Sequence, residues 1–241
     1  MTWPTVSIVM PVWNAERWIA RAVRSCISQA YPGRLEIVVA DDGSEDGTRS
    51  AVERALSGTD RPVVLLEGPH QGYAAAFNLA LAAASGDIIA RQDADDWSAP
   101  DRILKSVEAL ADGTADIVSS EMALVDKHGC SVGETHVGGM VEEEYVKGAK
   151  AHGPCSTTLV AWRRVYEKVG PFSTDPRWEW SPDSEWNFRA LRAGLRWAHI
   201  PEPLYFYRIH ADRMTTRGGG KGHQAYLEQI EEHLKAKGRA E

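Results

Sequence analysis

The sequence predicts an α/β fold in which a mixed sheet, mostly parallel in the N-terminal half of the chain, is flanked by helices. Short apolar runs rich in β-branched residues recur without polar alternation, as expected of parallel strands that are covered on both faces. Segments with apolar residues at helical spacing separate these runs. The strand-like runs of this half are residues 6–10, 35–40, 63–66 and 87–91.

The helices between these runs follow from the same periodicity. In residues 15–27 the apolar side chains recur at helical spacing, while Arg17, Arg21 and Arg24 point elsewhere, which is typical of an amphipathic helix on a sheet. Residues 73–84 are rich in alanine and therefore allow close approach to the sheet. Further helices are predicted at about 48–56 and beyond Pro100.

The second half of the chain has a less regular pattern. We expect a strand at 116–120, a hairpin of 122–126 and 131–134, a short acidic helix near 142–147 and a strand at 157–161. Helices at 163–169 and 183–194 and strands at 195–200 and 204–209 follow. The predicted organisation is one domain over residues 1–214, then a flexible Gly-rich segment and a C-terminal helix within 215–241.

Composition limits the classes of function. A chain of 241 residues can form one large α/β domain with a substantial core. The net charge of −7 argues against a nucleic-acid polymer as partner, because such surfaces are basic. Three widely separated cysteines, Cys26, Cys130 and Cys155, lack metal-ligand spacing and suit a reducing cytosol, with Cys26 predicted in the core.

No secretory leader and no transmembrane segment are predicted, because the chain lacks a basic segment followed by an apolar one and any run of about 18 apolar residues. We therefore expect a cytoplasmic protein, with peripheral association at the inner face of the membrane as an open alternative.

An acidic cluster follows the fourth strand-like run, in the sequence QDADDW of residues 92–97. Asp93, Asp95 and Asp96 would repel one another in a partly desolvated site unless a cation or basic partners compensate them. Mg²⁺ and Mn²⁺ bridge such carboxylates to the oxygens of a diphosphate. The alternative is a solvated acidic turn that caps the helix after Pro100.

A second acidic pair, Asp41 and Asp42, follows the strand-like run 35–40. Right-handed crossovers place the carboxyl ends of parallel strands at one edge of the sheet, where open α/β sheets bind ligands. The two pairs Asp41/Asp42 and Asp93/Asp95 are therefore predicted to meet at that edge.

Several ordered motifs, from about residue 6 to His210, resemble the inverting glycosyltransferases of family 2, which have the GT-A (Rossmann-like) fold. The matching motifs are VSIVMPVWNAERWI, EIVVADDGSEDGT, GYAAAFNLALAAASGDIIARQDADDWSAPDRI, PDSEWNFRALRAG and YRIH. The resemblance implies a metal-dependent transfer of a sugar from a nucleotide-diphospho-sugar to an acceptor hydroxyl by single displacement. It makes 1–115 the nucleotide-binding half and 116–214 the acceptor-binding half.

The resemblance also implies ligands and residue roles. The cofactor is Mn²⁺ or Mg²⁺, the donor a UDP-, GDP- or TDP-sugar, and the acceptor a hydroxyl of a glycan, a lipid-linked carrier or a small molecule. Asp183 is the catalytic base, although Pro182 stands where the family usually has an acidic residue. Asp95 and His210 are metal ligands, with ordinary packing as the alternative for His210. Nucleotide contacts fall on Pro11, Trp13, Asp42 and Asp93.

For several further residues, two interpretations of position or function remain open. Trp13 stacks on the base or packs in the core, and Asp41 assists Asp42 or caps a turn. Asn78 lies near the nucleotide or faces solvent. Asp96 lies toward solvent or the helix start, on the acceptor side. The resemblance also places His152 near the acceptor pocket and makes Glu185 the second candidate base, while first-turn acids are also favoured by the helix dipole alone.

Two other functions are compatible with an acidic site on such a sheet. A sugar-phosphate nucleotidyltransferase would carry a Gly-rich, basic loop after the first strand, where this chain has PVWNAERW. A non-catalytic subunit that binds nucleotide-sugars would lack Asp95 or Asp183, and both are present.

Overall fold

The computed structural model describes residues 2–135 and 156–217, and within them nine strands form one mixed sheet. The strand order is β3-β2-β1-β4-β8-β6-β9-β5, and β7 pairs with β6. The strands are β1 (Val6–Val12), β2 (Leu35–Asp41), β3 (Val63–Glu67), β4 (Ile88–Arg91), β5 (Trp97–Ser98), β6 (Ile117–Val125), β7 (Ser131–Glu134), β8 (Val160–Trp162) and β9 (Trp197–Arg208).

Helices alternate with the strands in the first half of the chain and flank the sheet in the second. The α-helices are α1 (Ile19–Ile27), α2 (Thr48–Leu56), α3 (Tyr73–Ala83), α4 (Arg102–Ala111), α5 (Arg163–Val169), α6 (Pro182–Arg192) and α7 (Met214–Arg217). Single 3-10 turns lie at Ser156–Thr158 and Pro176–Trp178. The predicted helix near 142–147, His152, Cys155 and the segment 218–241 lie outside the described residues.

The predicted mixed sheet is confirmed, and its parallel part positions the acidic residues. Strand β1 lies between β2 and β4, and all three run in the same direction. Their carboxyl ends therefore lie side by side at one edge. Strand β8 runs antiparallel to both β4 and β6, which makes the second half of the sheet mixed.

Two apolar clusters cover the two faces of the sheet and explain the lack of polar alternation in the strands. Ile8 and Met10 belong to the cluster that includes residues of α1, α2 and α4, and Cys26 is buried there as predicted. Val9 belongs to the opposite cluster, with residues of α3, α5 and α6. Because successive side chains point to opposite faces, a strand covered on both sides must be apolar throughout.

The structure corrects two boundaries in the second half. Residues 117–125 form one strand, β6, where a strand and a separate hairpin arm were expected. Likewise β9 is one strand of 12 residues, where two strands were expected. The pairing passes from Ser120 and Ile200 to Glu121 and Pro203, so Pro201 and Glu202 lie in a bulge. A bulge accommodates a proline that cannot donate to the ladder, and the strand continues beyond it.

Candidate active site

The carboxyl ends of β1, β2, β4 and β9 bring the predicted residues to one edge of the sheet. Trp13 follows β1, Asp42 follows β2 and Asp93 lies two residues beyond β4. His210 lies two residues beyond β9. Strand topology therefore brings residues that are far apart in the sequence to the same side of the molecule.

Asp93 is held by two tyrosines. The hydroxyl of Tyr73 donates to Asp93 Oδ1 at 3.0 Å, and the backbone N–H of Asp93 donates to the hydroxyl of Tyr205 at 2.9 Å. The pKa of Asp93 is raised to about 6, mainly by burial and in part by the charges of Asp95 and Asp183, while Arg91 and Tyr73 oppose the rise. Asp183 is thus one of the charges that act on Asp93.

Asp95 and His210 contact each other directly. Asp95 Oδ2 and His210 Nε2 are 2.9 Å apart, and His210 Nδ1 is buried without a hydrogen-bond partner among the described residues. Two atoms that ligate one ion at about 2.1 Å in octahedral geometry lie about 3 Å apart, so the pair has the spacing of neighbouring ligands. The Asp95 side chain is 29% exposed, which leaves it accessible to an ion. The donor set fits Mn²⁺ or Mg²⁺.

The described residues alone do not form a complete metal site. No group of three or more His, Cys, Asp or Glu side chains that could hold a metal ion occurs in the described parts of the chain. Among the described residues, Asp95 and His210 would therefore hold only part of the coordination shell of an ion, as is usual for Mg²⁺ bound to substrate phosphates.

Asp96 does not lie toward solvent, so that expectation is wrong. It is 2% exposed, and its Oδ1 accepts from the backbone N–H of Arg208 at 2.7 Å. Burial raises the pKa of Asp96 well above its usual value, and the charges of Asp95 and Asp93 add to the rise. The guanidinium of Arg208 donates to the carbonyl of Asp95 at 2.8 Å. The QDADDW segment is thus anchored to β9, and a solvated acidic turn is excluded.

Asp42 organises the loop before α3. Its carboxylate accepts from Nδ1 of His70 and from the backbone N–H groups of Gln71 and Gly72, each at 2.8 Å. The His70 ring stacks on Trp13, with centroids 4.3 Å apart and planes 16° apart. Trp13 is 39% exposed, so it is not a core residue. The pair presents a half-exposed aromatic surface at the sheet edge.

Asp41 forms a local turn. Its Oδ1 accepts from the backbone N–H of Ser44 at 3.0 Å and from the Ser44 hydroxyl at 2.6 Å. These contacts match the capping alternative for Asp41. Pro11 is buried within β1, opposite Ala40 of β2. Only a small part of its surface could therefore contact a ligand.

Asn78 is half-buried, and its side-chain amide bonds the backbone of Phe172. Its Nδ2 donates to the carbonyl of Phe172 and its Oδ1 accepts from the Phe172 N–H, both at 2.8 Å. It borders an open crevice of about 480 Å³ that Asp41 and Asp42 also line. The amide nevertheless connects α3 to the segment after α5, which is a structural function.

Asp183 and Glu185, both in the first turn of α6, have different surroundings. Glu185 forms a two-pronged ion pair with Arg189, at 2.7 and 2.8 Å, and is 8% exposed. Asp183 is half-buried, and its Oδ1 accepts from the N–H of Ser184 at 2.8 Å. The Arg189 contact occupies both oxygens of Glu185, so Asp183 is the better placed of the two to accept a proton.

Sequence reasoning missed the residues that support the acidic cluster. Arg102 donates to Gln92 Oε1 at 3.3 Å and to the carbonyl of Arg91 at 2.6 Å. Gln92 in turn donates to the hydroxyl of Tyr205 at 3.1 Å. The available signal was Arg91 itself, a charged residue at the end of an otherwise apolar strand.

Within the described residues no helix has both the length and the apolar character needed to cross a bilayer.

Named glycosyltransferases are similar to this chain in sequence. EpsE of Bacillus subtilis (strain 168) is 31% identical over 216 residues, which cover 89% of this chain and 76% of EpsE. Glycosyltransferase AglE of Haloferax volcanii is 28% identical over 201 residues, which cover 82% of this chain and 66% of AglE.

Solved structures of low sequence identity share the fold. TarS of S. aureus in complex with UDP-GlcNAc has a TM-score of 0.70 at 18% identity, covering 96% of this chain and 73% of that one. Mannosyltransferase PcManGT from Pyrobaculum calidifontis, in complex with GDP-Man and Mn²⁺, has a TM-score of 0.65 at 24% identity, covering 99% and 76%. These neighbours are GT-A glycosyltransferases, so the predicted fold class is confirmed.

The family assignment comes from the sequence itself. The family model described as Glycosyl transferase family 2 matches residues 7–170. This range includes nearly all of β1, the strands β2 to β4, the acidic cluster and α5. Together with the named glycosyltransferase relatives, this match identifies the protein as a glycosyltransferase. The chain belongs to glycosyl transferase family 2.

Proposed function

We propose that this chain is a metal-dependent inverting glycosyltransferase that moves a sugar from a nucleotide-diphospho-sugar to an acceptor hydroxyl by single displacement. The observation that carries the proposal is the contact of Asp95 with His210 beside Asp93 at one edge of the sheet, where the charge of Asp183 acts on Asp93. Structural neighbours support it, since TarS was solved with UDP-GlcNAc and PcManGT with GDP-Man and Mn²⁺.

Residues of the first half bind the donor in this proposal. Trp13 offers an aromatic face for the nucleobase, and Asp42 fixes the loop beside it through Gln71 and Gly72. Asp93 would contact the ribose of the donor or a water beside the ion. Asp95 and His210 would hold Mn²⁺ or Mg²⁺, and the ion would neutralise charge on the departing nucleoside diphosphate.

Asp183 acts as the general base. Its Oδ1 accepts from Ser184, and the other oxygen takes the proton of the acceptor hydroxyl as that hydroxyl attacks the anomeric carbon. Attack occurs on the face opposite the leaving group, so the configuration inverts in one step. The acceptor enters from the side of residues 116–214, and no covalent sugar intermediate forms.

A donor screen tests the proposal. UDP-, GDP- and TDP-sugars are added to the protein with and without Mn²⁺, and the melting temperature and the release of free nucleoside diphosphate are measured. We expect one donor class to raise the melting temperature more with Mn²⁺ than without it. NMR of a product then shows an anomeric configuration opposite to that of the donor. Retention of configuration, or no response to any donor, contradicts the proposal.

A further inference from the structure

Arg91 is a buried cation that packing does not explain. It is 1% exposed and lies at the end of β4 among aromatic side chains, with its guanidinium carbon 5.1 Å from the ring centre of Phe172 and 5.7 Å from that of Phe77. Within residues 2–135 and 156–217 it forms no salt bridge. Burying a charge without a direct ionic partner is unfavourable, and an uncharged residue of similar volume would fill this space at lower cost.

The hydrogen bonds of Arg91 lead into the active site. Its Nη2 donates to the hydroxyl of Tyr73 at 3.0 Å, and this hydroxyl donates to Asp93 Oδ1 at 3.0 Å. The guanidinium can only donate, so the Tyr73 hydroxyl must accept from it and is left with its own proton for Asp93. The donor and the acceptor of each hydrogen bond in this relay, from Arg91 through Tyr73 to Asp93, are therefore fixed.

Groups of the candidate active site also act electrostatically on Arg91. The charged or titratable groups that act on it are Tyr73, Asp183, Asp93 and Tyr166. Its Nε and Nη1 are buried and have no hydrogen-bond partner in the described parts of the chain. The cation is thus compensated by the donor-side and acceptor-side carboxylates at a distance and by one hydroxyl directly.

The ring and the hydroxyl of Tyr73 have different contacts, so a substitution can remove one set and keep the other. Its ring packs with those of Phe77 and Phe172, with centroids 6.4 Å from each. Its hydroxyl, in contrast, contacts Arg91 and Asp93. Phenylalanine at this position would retain the ring contacts and remove only the relay.

We propose that Tyr73 and Arg91 are positioning residues that hold the Asp93 carboxylate in the orientation in which it receives the nucleotide part of the donor. This inference rests on the proposed function, because it takes Asp93 to be a donor contact. It assigns to a buried arginine and a helix-borne tyrosine a function that neither the family match nor the motifs assign.

The test compares three variants in nucleotide affinity and in stability. Tyr73→Phe removes the relay hydroxyl, and Arg91→Met replaces the buried charge with an apolar chain. Tyr166→Phe is the matched control, since the Tyr166 hydroxyl is buried in the same aromatic cluster but has no hydrogen-bond partner there. Dissociation constants of UDP, GDP and TDP with saturating Mn²⁺ are measured by calorimetry, and stability by urea unfolding.

We expect Tyr73→Phe and Arg91→Met each to weaken binding of the preferred nucleotide by about tenfold, the size expected for a lost hydrogen bond to a charged group. The urea midpoint of Arg91→Met should stay the same or rise, and Tyr166→Phe should bind like the wild type. A residue needed only for folding would lower stability and affinity together. Loss of affinity without loss of stability is therefore the signature of a positioning function.

Two results overturn the inference, and they are distinguishable. If the wild type binds a nucleotide and Tyr73→Phe binds it within about twofold, the positioning function is wrong and the proposed function stands. If the wild type binds none of the three nucleotides, the proposed function fails and the inference fails with it. Should Arg91→Met not fold, Tyr73→Phe and its control decide the question alone.

Discussion

Asp95 and His210 lie 115 residues apart in the chain, and their Oδ2 and Nε2 atoms are 2.9 Å apart at the edge of the sheet. Arg208 reinforces the contact, because its backbone N–H and its guanidinium bond Asp96 and Asp95. The end of β9 and the QDADDW segment therefore form one unit. The predictions below test what this unit and its neighbours do.

The first prediction concerns the metal. His210→Ala should weaken Mn²⁺-dependent binding of the preferred nucleoside diphosphate by about tenfold or more, since it removes one of the two ligands proposed for the ion. The Mn²⁺ concentration that gives half-maximal nucleotide binding should rise accordingly. His128→Ala, at an exposed histidine of the turn before β7, is the control and should leave the Mn²⁺ titration unchanged. An unchanged titration for His210→Ala would show that His210 only packs.

The second prediction concerns the base. Asp183→Asn should reduce the rate of sugar transfer by about 10²–10⁴, the usual contribution of general base catalysis, and change nucleotide affinity by no more than a few fold. Glu185→Gln should retain transfer and be less stable, because Glu185 pairs with Arg189. Single-turnover rates and calorimetry measure the two quantities. Full activity of Asp183→Asn removes Asp183 from the mechanism.

The third prediction concerns whether Asn78 stabilises the fold or contacts the nucleotide. Asn78→Ala leaves the N–H and carbonyl of Phe172 without their partners and should lower the free energy of unfolding by about 2 kcal/mol. Asn78→Asp keeps the acceptor for the Phe172 N–H but turns a carboxylate oxygen toward the Phe172 carbonyl, so it should be destabilised as well. Nucleotide affinity should be the same in all three proteins. A large loss of affinity in the Ala variant would instead make Asn78 a nucleotide contact.

The fourth prediction concerns acid stability. Hydrogen bonds from Arg196, aided by Arg164, lower the pKa of Asp116 from 3.8 to about 2. Because the folded pKa is the lower one, the stabilisation is present above about pH 4 and disappears as the pH falls toward 2. The arginine side chains are 54% and 55% exposed, so solvent screening limits the effect to about 1 kcal/mol or less.

The Asp116→Asn variant measures this effect. It should be less stable than the wild type in urea at pH 7, and the difference should vanish between about pH 4 and pH 2. Raising the salt concentration at pH 7 should shrink it as well. A difference that stays constant over this range of pH would mean that the Asp116 carboxylate charge does not contribute.

The strands of the first half were predictable because burial on both faces produces continuous apolar runs. The same reasoning placed Asp42 and Asp93 correctly at one edge, since parallel strands must end together. It failed at β6 and β9, because the bulge at Pro201 and Glu202 depends on pairing with a distant strand. Local sequence carries no signal for such pairing.

The candidate site, like the fold, was predictable only in part. Motif resemblance named the carboxylates that could act on a ligand. It misplaced Asp96 and gave no partner for Asn78, and both side chains bond backbone groups more than ninety residues away. Arg91, Arg102 and Tyr205 escaped notice because each supports another residue rather than acting itself. The separation into halves at residue 115 and the individual residue roles remain predictions.

Strand β9 pairs with β6 along most of its length and with β5 beside the acidic segment. A folding chain therefore has no His210 next to Asp95 until its last long strand has joined the sheet. The ion proposed for Asp95 and His210 would therefore not bind to partly folded chains, however complete their first four strands are. Ion capture would thus report that the whole sheet has assembled, which makes a manganese-dependent signal a natural probe of late folding in this protein.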